Sequence, residues 1–251
     1  VLSYGFVVLA ISVLSNQPAG RPNAGVSAAQ IHTLKANVSP VHFLQTTLGA
    51  FSGIGYGSAI AVILGVLAYG SEYGWSTLKT VFTQRPGRLA TFGGKLLALA
   101  AVLVLYALAM LAVAAAASAV LGAVYGEGGS WPGVPEIARA LGASLLLMGL
   151  WAGLGVLLAV LFKQAPLAVG LGIVYSIAIE GIIINILSLD PSLKNIQRGF
   201  PGANGTALVN SFGSNAAHAL VGPSQATLVV AGYLVVFVLV AAVLLRARDV
   251  T

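Results

Sequence analysis

The sequence predicts an all-α integral membrane protein, and three observations carry that prediction. Of the 251 residues, 58% are hydrophobic and only 7% charged, where a soluble domain carries about 25% charged residues. Mean hydropathy is +0.97. The apolar residues form long continuous runs, not the alternating segments of an outer-membrane barrel. There is no cysteine, which excludes disulfides, thiol nucleophiles and thiolate metal sites. Net charge is +6, but the basic residues gather near the ends of apolar runs. That pattern speaks of topology and not of nucleic-acid binding.

Six spans are expected in a single transmembrane domain covering 1–251, at about 1–15, 46–70, 93–123, 138–161, 166–189 and 224–245. Val1–Ser15 would reach only about 22 Å of a hydrocarbon core about 30 Å thick. It lacks the basic head and clear cleavage site of a signal peptide, and is read as a helix whose cytoplasmic start lies upstream of Val1. The Ala- and Leu-rich third run exceeds the roughly 20 residues needed to cross, so its first turns, with Arg88 and Lys95, are expected along the interface. Only Lys163 and Gln164 separate the fourth and fifth runs, which predicts a tight helical hairpin. Loops with Pro or Gly occupy 16–45, 124–137 and 190–223.

Lys79, Arg85, Arg88, Lys95, Lys163, Arg246 and Arg248 would share one side of the membrane, in compact segments. Arg21, Lys35, Arg139, Lys194 and Arg198 would be spread over longer loops on the other. The denser set is assigned to the cytoplasm by the positive-inside rule, with both termini inside.

Ser71–Lys95 is the polar interruption around which the chain is organised. Ser71 suits an N-cap, Glu72 suits the positive end of a helix, and Pro86-Gly87 stops it. Trp75, Leu78 and Phe82 fall on one face. The segment reads as an amphipathic helix at the membrane surface, either docking a partner or laying its cations against lipid phosphates.

Gly49, Gly53 and Gly57 recur every four residues, and Gly149 and Gly153 repeat the spacing, as small residues do where helix backbones approach closely. The first set serves packing within the chain or a dimer face. Glu180 is the only acid well inside an apolar run. A charge at that depth costs roughly 2.5–3.5 kcal/mol on insertion scales, so it should face protein, water or a partner. It either lines a transport path or gate, or links to another helix through a group such as Ser118 or Tyr175.

Other chemistries fail on spacing. Gly93-Gly94-Lys95 looks like the tail of a P-loop, but Leu89 and Leu96 stand where that motif needs Gly and Ser or Thr. His32, His42 and His218 lack metal-ligand spacing, and there is no nucleophile elbow. The chain is therefore expected to hold no catalytic residue, metal or cofactor of its own.

The run EYGWSTLKTVFTQRPGRLATFGGKLLAL from Glu72 resembles the cytoplasmic loop of type-2 ABC exporter permeases. An opening acid, a Gly, a Thr-Leu pair, a Pro turn with Arg and an entering Lys match Glu72, Gly74, Thr77, Leu78, Arg85, Pro86, Arg88 and Lys95. The usual Arg after the opening acid is replaced by Tyr73 or Gly74. Glu180 followed by FPGANGTAL, with Phe200, Pro201, Ala207 and Leu208, adds a second likeness. The resemblance implies a permease subunit with six spans, paired with a second copy or paralogue to make twelve. Separate ATPase subunits would bind ATP and Mg. Glu72, Trp75, Leu78, Lys79, Phe82, Arg85 and Arg88 would form the coupling helix that docks on them. It also implies export of a hydrophobic or amphipathic substrate such as a drug, antibiotic, peptide or lipid, in a bacterial inner membrane. The alternative is an ATP-independent transporter or channel using Glu180.

Overall fold

The computed structural model describes residues 39–52, 55–74, 88–126, 129–213 and 220–247. The expected first span at 1–15 and most of the amphipathic segment, 75–87, lie outside them. The described residues are all-helical, with no strand among them. In order they form α1 (Phe43–Gly49), α2 (Tyr56–Gly74), α3 (Arg88–Tyr125), α4 (Val134–Phe162) and α5 (Ala165–Val174). A five-residue π turn (Tyr175–Ile179) joins α5 to α6 (Glu180–Ser188). A 3-10 turn, α7 (Lys194–Gln197), α8 (Pro201–Asn210) and α9 (Pro223–Ala247) complete the chain. Four helical stretches are long and apolar enough to cross a membrane: Leu89–Tyr125, Val134–Phe162, Ala165–Ser188 and Pro223–Ala247.

α4 is the central helix. In its most apolar stretch 61% of residues are buried, against 22% for α3 and 11% for α9. The outer helices turn large apolar side chains away from the protein, among them Leu97, Leu105, Leu228 and Val243. An exposed apolar shell around a buried central helix suits a lipid solvent.

α2 and α4 make the most extensive helix pair, and glycine permits it. A methyl on Gly65 would overlap the carbonyl of Ala152, and one on Gly155 would overlap the carbonyl of Val62. Backbone therefore meets backbone there, which gives dispersion contact that larger side chains would prevent. Gly149 and Gly153 lie against Leu234 of α9, so their four-residue spacing serves packing within the chain.

The single helix expected at 46–70 is instead two. α1 ends at Gly49 and α2 starts at Tyr56, and glycine, a poor helix former, recurs in the intervening sequence at 53 and 55. Gly49 and Gly57 consequently sit on different helices, and Gly53 lies outside the described residues. Gly57 packs against the ring of Phe51, while Gly49 has open space beside it. Among the described residues of the break several polar groups find partners, as an apolar setting demands. Gly57 N–H donates to Ala50 O (2.8 Å) and Gly55 N–H to Ser52 O (2.7 Å). Ser52 Oγ donates to Gly49 O (2.7 Å). The buried Trp151 indole donates to Phe51 O (3.1 Å).

α3 runs unbroken from Arg88 for 38 residues, about 57 Å at the standard rise. Near its start Tyr69 Oη donates to Phe92 O (2.6 Å), and Lys95 Nζ lies 5.2 Å from the Tyr69 ring centre. The α4–α5 hairpin forms at the expected two residues. Lys163 caps α4 in the left-handed region (φ 54°), with its N–H on Ala159 O, and Gln164 is extended.

Candidate functional site

The site grows from a helix that changes its winding. α5 carries the chain to Val174, and the π turn then adds a residue to the cycle. Ile177, Ile179, Ile182 and Ile186 remain exposed, while Glu180 is 1% exposed. π turns inside α-helices are frequent at functional sites, and this one ends immediately before the buried carboxylate. Glu180 lies eight residues before the end of α6 at Ser188, about 12 Å along the axis.

α8 supplies the partner. After α7 the chain returns to the protein interior, and Phe200-Pro201 opens a ten-residue helix in which Pro201 takes the first turn. Pro is suited there because it has no N–H to leave unpaired. Pro201, Gly202, Ala203, Asn204, Gly205, Ala207, Leu208 and Val209 are all buried. Gly202 N–H donates to Glu180 Oε1 (2.5 Å). A carboxylate at a helix N-terminus meets both a free donor and the positive end of the dipole, together worth about 0.3–2 kcal/mol. Gly202 is required for this approach, since a methyl there would sit 2.7–2.9 Å from the Glu180 carboxyl atoms.

Asn204 completes the junction. Its Nδ2 donates to Arg198 O (2.7 Å) and Phe200 O (2.8 Å). Two carbonyl partners fix the amide orientation, because the flipped form would set Oδ1 against both of them. Asn204 Oδ1 and Glu180 Oε2 are then left as buried acceptors with no hydrogen-bond partner among the described residues. Unsatisfied buried acceptors cost about 1–3 kcal/mol each. The junction is thus held at one oxygen and under-satisfied at two.

The partner of Glu180 is the backbone of Gly202, and neither Ser118 nor Tyr175. Tyr175 instead packs its ring 6.5 Å from that of Trp151. Of the coupling residues, Glu72 lies in the last turn of α2 and Arg88 starts α3. Trp75, Leu78, Lys79, Phe82 and Arg85 lie outside the described residues. No group of three or more potential metal-ligating side chains occurs among the described residues. The letters FPGANGTAL do not by themselves show that this run caps itself on Glu180. The usable signal was a Pro-Gly helix start opposite the one buried acid.

These features define a class: a helical membrane protein in which one long apolar stretch, Ala165–Ser188, carries a buried acid locked to a short interior helix. Compared with family models, curated proteins and solved structures, the chain matches none.

Proposed function

We propose that this chain is the six-span permease subunit of an ATP-driven exporter, working with a second permease copy and with separate ATPase subunits in a bacterial plasma membrane. The observation that carries the transport reading is the Glu180–Gly202 junction. Broken helices whose ends meet inside the bundle are how transporters build movable sites within a bilayer, and this chain has one such break at 50–55 and another at α8. The coupling to ATP rests on the resemblance of the Glu72–Lys95 run and on the failed P-loop spacing at Lys95. In this reading Trp75, Leu78 and Phe82 form an apolar anchor on the ATPase, with Glu72, Lys79, Arg85 and Arg88 at its polar rim.

Two measurements test it. A soluble ATPase is expected to copurify with the wild-type chain, and Trp75→Ala with Leu78→Ala is expected to release it. Retention of the ATPase by the double variant overturns the coupling assignment. Glu180→Gln keeps an acceptor for Gly202 N–H but removes the charge, and is expected to lower export more than assembly. Transport that persists without any ATPase would instead favour an ATP-independent carrier or channel built on Glu180.

A further inference from the structure

A cleft of about 840 Å³ opens at the end of the bundle, beside residues 130–132 and 211–213. Its volume is that of a small-molecule site. α1, the segment before α4, α4 itself, the end of α8 and the start of α9 all contribute to its wall. Leu208 and Ala143 are buried at its base, and Leu146 and Phe212 extend the apolar side.

The polar side carries both signs of charge. Arg139 and Glu136 line it, one helical turn apart on α4. Their closest approach is 3.9 Å, and their side chains are 70% and 52% exposed. An exposed pair at that distance is weak, so the guanidinium fork keeps donors free for another anion. Glu136 also accepts from Gly133 N–H (3.2 Å), which fixes its carboxylate at the rim. Trp131 lines the same rim, tilted on Phe43 at 5.7 Å and 48% exposed. An indole face beside a carboxylate is the chemistry that recognises an ammonium group.

We propose that this cleft binds a zwitterionic amphiphile, its anionic group on Arg139, its ammonium between Glu136 and Trp131, and its apolar chain along Leu146, Leu208 and Phe212. A phosphocholine- or phosphoethanolamine-type membrane lipid has that chemistry. The proposal concerns the chain alone and does not depend on its being an exporter.

The test is equilibrium binding to the purified full chain in a non-ionic detergent. Three probes share one alkyl tail and carry a phosphocholine, a phosphate or a trimethylammonium head. Wild type is expected to bind the phosphocholine probe about tenfold or more tighter than either other probe. Arg139→Gln should erase the advantage of phosphocholine over trimethylammonium, and Glu136→Gln its advantage over phosphate. Gly142 lines the cleft with open space where a Cβ would sit, so Gly142→Leu places bulk at the cleft wall and should weaken all three. Equal binding of the three heads overturns the proposal, as does affinity unchanged in both charge variants. Equally tight binding of tail-free phosphocholine also overturns it, because the apolar half would then do nothing.

Discussion

Two helix junctions in this chain solve the same problem in opposite ways. At the α2–α4 crossing, Gly65 and Gly155 bring two backbones together with nothing polar left over. At the α6–α8 junction, one carboxylate oxygen holds one backbone N–H, and two buried acceptors find no donor among the described residues. The first contact is close-packed, non-directional and spread over many atoms, so no small displacement improves it. The second depends on a single directional bond, and its orphaned oxygens gain from any donor that reaches them. The bundle is thus held backbone against backbone at its centre and by one directional bond at a short interior helix.

Substitutions can break the comparison at either end. Gly155→Leu drives a side chain into the Val62 carbonyl, which neither helix can avoid without separating. It is expected to destabilise by more than about 3 kcal/mol and to abolish a detergent-stable fold in thermal-shift and size-exclusion measurements. Gly232→Ala, at a helical glycine with open space, is the control and should be neutral or slightly stabilising.

Gly202→Ala tests the second junction with opposing signs. Helix propensity favours Ala by about 1 kcal/mol. The lost hydrogen bond to Glu180 and the displaced carboxylate cost about 1.5–3 kcal/mol. The contact should win, giving a net loss near 1 kcal/mol in the melting midpoint. A gain in stability would mean that the Glu180 contact is not made.

The smallest effect is expected at the hairpin. Lys163 adopts a left-handed conformation that costs an L-residue roughly 1–2 kcal/mol. Lys163→Gly should therefore stabilise by up to about 1 kcal/mol, read as a modest rise in midpoint.

Much of this fold is legible in the sequence because lipid-facing helices write themselves as runs. The expected third to sixth spans each lie within, or one residue beyond, the observed helical stretches, and Lys163-Gln164 marks its turn by brevity alone. The break at 50–55 was less visible, since Gly49, Gly53 and Gly57 fit a helix-packing stripe as well as a helix end. Only the Trp151 indole on Phe51 O distinguishes the two, and that contact spans a hundred residues of sequence. Glu180 was visible as an isolated acid in an apolar run. Its partner was not, because a backbone N–H has no letter of its own in a sequence.

The extra residue in the Tyr175–Ile179 turn has a consequence for how this chain tolerates deletion. Each residue of an α-helix accounts for about 100° of rotation. Removing Ala178 alone would let the winding revert to an ordinary α-helix with little loss of length. Everything before Tyr175 and after Ile179 would keep both its register and its facing, because the wider winding of the turn is what absorbs the extra residue. A shortening at this spot would thus be silent for the direction of the acid, whereas the same loss one or two turns earlier, in regular α winding, would swing it by about 100° while the rod still reaches across.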